Sequence, residues 1–324
     1  MYDILVLRTF FSLAVRRPWE EVKIYGPYTY CTSSANEMLV EIQAAPNHVH
    51  FLITHDGPPR GDLNNLLNND PNKYKIFLTH SNFLVANQYT EVLENFILLP
   101  WCHNLMSNID CLSQVKAHIS DLFTANESTR WLSLNRESNM KTRQYLKTQW
   151  LEPHDQYFLY TFGKEKFVGD YNFYNKTYNK GYGQESPNPP NICNLSNFMS
   201  LENLYNQTCG SVVTESMGGT NITEKTIHAF LALHPIIMIG HPGTVEYLRT
   251  QGFDMFDDLI DHSYDEIVEY KERTDVAMEK NWKIIEQGID RKEIQDRLLK
   301  NRNNVWNYYD NSLNNMLQII RKNL

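Results

Sequence analysis

The segment Ser211–Phe256 constrains the fold more than any other stretch of the chain. Apolar SVVTES is followed by amphipathic ITEKTIHAFLAL, apolar PIIMIG, amphipathic TVEYLRTQ and the short FDMF, with little between them. Uninterrupted apolar runs of strand length belong to strands covered on both faces, the situation of a parallel sheet. Strand, helix, strand, helix and strand in so short a span predict a parallel, doubly wound α/β unit. Gly252 stops the second of these helices.

The pattern begins earlier, at Trp131. The run WLSL reads as a strand, about Ser138–Trp150 as a helix and QYFLYTF as a second strand, while Gly163–Pro190, rich in Tyr, Asn and Gly, reads as an inserted loop. Upstream, Asp3–Leu7, Met38–Gln43, Val49–Thr54, Lys75–Thr79 and Phe96–Leu99 are further strand-length runs, and Ser107–Phe123 has helical spacing. TANES, at residues 124–128, reads as a linker, and charged amphipathic helices over Tyr264–Gln287 and Arg291–Lys322 close the chain. The expected fold class is α/β, with two Rossmann-like lobes and long C-terminal helices. Residues 1–126 form the first lobe, residues 127–289 the second, and residues 290–324 a helix packing back toward the first.

With 42% apolar residues in 324, the chain is not a disordered one. Its longest apolar stretch, Ile227–Gly240, is interrupted by His228, His234 and Pro235 and falls short of the roughly 20 residues needed to span a bilayer. MYDILVLRTFF has no basic residue before its apolar run and reads as a first strand, not a signal peptide. Cys31, Cys102, Cys111, Cys193 and Cys209 make no CxxC pair, which fits reduced thiols and a cytoplasmic location. A net charge of −8 speaks against nucleic-acid binding through a broad basic surface. No motif specifies an oligomeric state.

In an open parallel sheet, ligands bind beyond the carboxyl ends of the strands. Glu215 and Ser216 stand at such an end, the loop MGGTN lets a ligand approach the backbone, and a helix starting at Thr223 offers free N–H groups to an anion. Lys225 adds a positive charge there, and Glu224 an acceptor for ribose hydroxyls. The same residues also make an ordinary helix start, with Thr223 as N-cap, Glu224 favoured by the dipole and Lys225 solvated. Asn135 and Arg136 end the strand WLSLN; Arg136 or Arg143 would meet a diphosphate bidentately, or else form a surface ion pair. GHPGT, at 240–244, is a tight turn and neither a P-loop nor a dinucleotide fingerprint.

In the first lobe, His48 and His50 share one face of HVHFLIT, without a third metal ligand indicated. His55 and Asp56 follow at its carboxyl end as candidate general bases, or as part of a plain Asp-Gly turn. His80 ends the next strand in the same way. No isolated D-x-D follows a strand, so no metal site is expected. The Tyr-rich YNFYNKTYNKGYG would suit sugar stacking, or is simply a biased loop.

The run ITEKTIHAFLALHPIIMIGHPG resembles the Thr-Glu-Lys helix and strand in the donor-binding domain of α1,3-fucosyltransferases and related GT-B glycosyltransferases. VVTES resembles that family's strand ending in an acid and a serine, without the intervening Asn. Together with LSLNR at 132–136 and the run to Ile267, the pattern also resembles uncharacterised glycosyltransferase-like proteins of phage and marine bacteria. The likeness covers Trp131–Val268, less than half of the chain. It implies a GT-B fold, with Lys225 on a phosphate, Glu224 on the nucleotide or sugar, and Glu215 and Ser216 lining the donor pocket. The implied activity is metal-independent, inverting transfer of a sugar from a nucleotide-diphospho-sugar, a co-substrate and not a cofactor, to a hydroxyl. The acceptor is a glycan or a hydroxymethylated base in phage DNA. A binding protein that keeps the fold without turnover is the alternative.

Overall fold

The structure is a computed structural model that describes residues 22–28, 49–54, 76–80, 96–100, 119, 123, 128–135, 140–162, 201–215 and 222–323. For the strands up to residue 100 it describes the backbone alone, and the side chains of residues 162, 224, 313, 316, 320 and 323 are likewise outside it. The chain divides into two compact units, Met1–Ser107 with Tyr309–Leu324, and Asn108–Tyr308.

The first unit contains a parallel sheet of β1 (Val22–Tyr28), β2 (Val49–Thr54), β3 (Ile76–His80) and β4 (Phe96–Pro100), paired in chain order. Three of these follow the apolar runs read from the sequence. The fourth, β1, is unexpected there, because Gly26-Pro27 interrupts its pattern. Its register shifts between Tyr25 and Tyr28, and among the described residues it pairs with β2. An irregular strand of that kind is where proline is tolerated in a sheet. The expected strands at Asp3–Leu7 and Met38–Gln43 lie outside the described residues.

The second unit holds another four-stranded parallel sheet: β5 (Trp131–Asn135), β6 (Phe158–Phe162), β7 (Gly210–Thr214) and β8 (Ile236–Ile239). Their order is β6-β5-β7-β8. The helices between them are α1 (Lys141–Leu146), which continues as a π-helical turn over Lys147–Leu151, α2 (Glu202–Asn206) and α3 (Glu224–Leu231). After β8 come α4 (Thr244–Thr250), α5 (Tyr270–Lys280), α6 (Trp282–Gln287) and α7 (Gln295–Asn323). Every residue of β7 and β8 is buried, as a sheet covered on both faces requires. Parallel strands are joined by right-handed crossovers as a rule, which for this strand order puts α1 and α3 on opposite faces; α5 packs beside α1. The core gathers Trp131, Phe158, Val212, Ile237, Ile239, Tyr264 and Met278.

Two sequence expectations change here. FDMF is no strand; Phe256 is buried with φ 59°, a left-handed conformation incompatible with an extended chain. The outer edge of β8 is closed by side chains instead: Met238 N–H donates to Tyr264 Oη at 3.1 Å. The helix expected over Tyr264–Gln287 starts only at Tyr270 and is divided at buried Asn281. That side chain accepts from Asp261 N–H (2.8 Å) and donates to the carbonyls of Asp261 and Ala277 (2.9 Å each). Cys209 is a buried free thiol, pushed up to about 11 by burial. Among the described residues no helix is long and apolar enough to cross a membrane.

Candidate functional site

The strand order decides where a ligand would meet the second sheet. The chain passes from β5 to β6 on one side and then crosses to β7 on the other. The carboxyl ends of β5 and β7 therefore flank the topological switch point, where open α/β sheets bind ligands. Asn135 ends β5, Thr214 ends β7, and Glu215 follows directly.

Polar side chains are buried at that edge, and each is tied to another. Asn135, 1% exposed, donates from its main-chain N–H to Thr161 Oγ1 (3.0 Å) and from Nδ2 to Ser133 Oγ (2.9 Å). Its Oδ1 accepts the Thr214 hydroxyl, so the side chain ties β5 to β7 while the main-chain N–H reaches the Thr161 side chain of β6. Arg143 comes from α1 and is 2% exposed; its Nε donates to Thr214 Oγ1 and its Nη2 to the Thr214 carbonyl, both at 3.2 Å. A buried guanidinium thus lies against the carboxyl end of β7.

A second group adjoins the first through the Thr214–Glu215 peptide. Glu215, 1% exposed, extends the ladder by donating its N–H to the Ile239 carbonyl at 3.1 Å. Its carboxylate reaches the start of α3, where Oε1 accepts Thr223 N–H (2.8 Å) and Thr226 Oγ1 (2.5 Å), and Oε2 accepts Thr223 Oγ1 (2.6 Å). Thr223 is the N-cap, as its position in the sequence indicates, and its hydroxyl accepts from Lys225 N–H (3.4 Å) and Lys225 Nζ (3.2 Å). A carboxylate beside the first turn interacts favourably with the helix dipole.

The other end of α3 is held as firmly. Leu233 takes φ 59°, with His234 N–H donating to the Ala229 carbonyl (2.9 Å) and Leu233 N–H to the Phe230 carbonyl (3.2 Å). That is a Schellman ending built on leucine where glycine is usual. Arg302 donates from Nε to the Leu231 carbonyl (2.8 Å), and Arg291 from Nη1 to the carbonyls of Ala232 and Leu233 (3.4 Å each). Both guanidiniums are buried, which lowers their proton affinity, and both complement the negative end of the helix.

The structure therefore brings together Asn135, Arg143, Glu215, Thr223 and Lys225, with Thr214 and Thr226 as the connectors that sequence reasoning missed. Thr226, the fourth residue of TEKT, carries no sequence mark that sets it apart from a solvated position. Its partner Glu215 lies eleven residues away. Asn135, Arg143 and Glu215 are more deeply buried than residues that simply line a crevice, and Lys225 is half-exposed. Glu224 is the first residue of α3, with its side chain outside the described part. Arg136, Ser216, His55 and Asp56 lie outside the described residues, as does the Tyr-rich insertion.

GHPGT forms the turn into α4, with Gly243 at φ 82°. A carboxylate again fills this helix start: buried Asp265 accepts Val245 N–H and Glu246 N–H at 3.1 Å. A cavity of about 740 Å³ opens beside it, lined by Glu246, Arg249, Asp257, Asp258, Asp261, His262, Asp265 and Glu266 among others. None of the switch-point side chains lines it, and its predominantly acidic wall is unsuited to a diphosphate. Arg249 holds the Asp257 carboxyl below the usual range, while burial pushes Asp265 up and His262 down. Among the described residues no group of three His, Cys, Asp or Glu side chains is arranged to hold a metal ion.

Compared with models of protein families, with curated proteins and with solved structures, the chain matches none.

Proposed function

We propose that the second unit binds a nucleotide-diphospho-sugar at the switch point and that the protein is a glycosyltransferase. The observation that carries this reading is that a buried guanidinium, Arg143, rests on Thr214 at the carboxyl end of β7, while the first-turn lysine of α3, Lys225, reaches Thr223 Oγ1, which Glu215 holds next to that strand end. The likeness of ITEK and VVTES to a donor-binding signature points to Lys225, with Glu224, Glu215 and Ser216. In this reading Lys225 and Arg136 meet the diphosphate, and Arg143, buried against Thr214, adds its charge through the end of β7 without touching it. Glu224 accepts from hydroxyls of the nucleoside or sugar, and Glu215 and Thr223 hold the first turn of α3 in place. GT-B architecture, a cytoplasmic location and independence from metal belong to this proposal.

Transfer follows an in-line displacement. The acceptor hydroxyl forms a bond to the anomeric carbon as the bond from that carbon to the phosphate oxygen breaks. The hydroxyl proton passes to a base, for which Asp56 or His55 is proposed, and the electron pair leaves on the diphosphate. Cations preorganised around the departing oxygens supply most of the stabilisation such a step needs. The acceptor is a glycan or a hydroxymethylated DNA base.

Titration calorimetry with UDP, GDP, CDP and dTDP, and with the parent nucleosides, tests the donor site. Lys225→Ala should weaken the diphosphate that binds by roughly 10- to 150-fold, the value of a charge-assisted contact, and leave its nucleoside unaffected. Unchanged diphosphate affinity in folded variant protein would remove the reading. Slow release of nucleoside diphosphate from the matching donor without acceptor separates an enzyme from a binding protein.

A further inference from the structure

The cavity beside the start of α4 has a volume of about 740 Å³, within the roughly 300–1,000 Å³ of small-molecule sites. We propose that it binds an organic polycation of the polyamine class, at a site separate from the donor site proposed above. None of the described switch-point side chains lines it, whereas six carboxylates and one guanidinium, that of Arg249, do. Arg249 is already spent, pairing with Glu246 at 2.9 Å and with Asp257 at 2.6 Å, and Asp258 is met by Arg297 at 2.8 Å. Asp265 accepts the N–H groups of Val245 and Glu246, which neutralises the positive end of α4 where it borders the cavity. Asp261 and Glu266 remain, and among the described residues neither has an ion-pair partner. A concave wall of one sign focuses its field and concentrates cations from solution.

The layout of the wall selects the kind of cation. A hard divalent ion gathers oxygens at about 2.0–2.6 Å from one point, and among the described residues no three His, Cys, Asp or Glu side chains are so arranged. Carboxylates spread over a cavity of this size suit ammonium groups spaced along a chain, each donating to the nearest acid. Leu259 lies among them and is 39% exposed, an apolar surface for the methylenes between the ammonium groups. Concavity and an exposed apolar side chain within it mark a ligand site independently of its charge.

Calorimetric titration of the full chain with spermidine tests the site. The comparisons are magnesium chloride at equal ionic strength and acetylated, amidated trilysine, which carries the charge of spermidine on a peptide backbone. Spermidine is expected to bind saturably, one to one, and more tightly than either. Asp261→Asn combined with Glu266→Gln removes the two unpaired charges, and asparagine still accepts the Ser263 N–H that Asp261 holds at 2.8 Å. That double variant should weaken spermidine on the order of tenfold, the sum of two exposed charge contacts. Glu279→Gln combined with Glu286→Gln changes the net charge equally outside the cavity wall and should leave spermidine binding unchanged. Leu259→Lys brings a fixed ammonium into the cavity, should also weaken spermidine, and serves where the double variant does not fold. Absence of saturable spermidine binding to wild type overturns the site, as does undiminished binding to a folded cavity variant or an equal loss in the control. Tighter binding of magnesium, or of trilysine, overturns the assignment to a polyamine. Binding of nucleoside diphosphate should be the same in wild type and both cavity variants, so the donor site stands or falls by its own titration.

Discussion

Arg143 grips Thr214 twice, from Nε to the hydroxyl and from Nη2 to the main-chain carbonyl, each at 3.2 Å. The first helix after β5 is thereby tied to the end of β7, across the point where the sheet reverses its direction of growth. Arg143→Met retains the bulk of the side chain and removes both contacts. Loss of hydrogen bonds from a buried charged group is expected to cost about 1.5–3 kcal/mol in urea unfolding. The proposed donor site predicts a weaker affinity for nucleoside diphosphate as well, read by calorimetry on the folded variant.

Thr226→Val is nearly isosteric and leaves Glu215 one donor short. A buried acceptor deprived of its partner typically costs about 1–3 kcal/mol. The second unit should melt earlier, while Thr226→Ser, which retains the hydroxyl, should recover most of the loss. A melting temperature unchanged in the valine variant would show that the 2.5 Å contact contributes nothing.

Gly210 opens β7 because the Trp131 ring occupies the space of a side chain; an added Cβ would stand 2.6 Å from Trp131 Cζ3 and 3.0 Å from the Pro235 carbonyl. Gly210→Ala is expected to destabilise the second unit by about 1–3 kcal/mol through overpacking. Trp131 is completely buried, so a red-shifted indole emission in the folded variant would report its displacement.

His234 gives the second unit a pH dependence. Ser211 Oγ and the Tyr205 carbonyl lie 2.8 Å from Nδ1 and Nε2, and burial holds the imidazole well below its usual pKa. His262 is shifted the same way by burial. In each case the unfolded chain binds more protons than the folded one, so stability rises with pH. The contribution is complete above the unfolded histidine pKa of about 6.5 and is lost as pH falls below it, toward the depressed folded value. Each histidine would contribute a slope of up to about 1.4 kcal/mol per pH unit in that window. His234→Gln, which can serve both partners without titrating, should flatten the dependence between pH 6.5 and 5 in urea melts; an unaltered slope would refute the assignment.

The second unit was legible in the sequence where hydrophobic runs are long and local. SVVT, PIIMIG, WLSLN and FLYTF are strands because their apolar residues have no solvent face to spare, and Thr223 caps α3 because its hydroxyl reaches an N–H two residues away. Local chemistry of this kind is written in neighbouring residues. FDMF misled because its composition suits a strand while Phe256 needs a left-handed backbone to reach the core, a demand set by distant packing. β1 escaped notice because an irregular strand admits Gly-Pro, and periodicity has no means of marking that.

What the sequence by itself determined is therefore the element types of the second unit, the start of α3 and the presence of acids and cations near strand ends. Only the tertiary structure decided which of those charges are already used. Glu215 closes on Thr223 and Thr226, and Arg143 on Thr214 seventy-one residues away. Asp265 caps α4 across twenty residues. A hydrogen bond forms between groups adjacent in space, and strand order, which sequence neighbours do not encode, is what makes residues 135, 143, 214 and 223 adjacent.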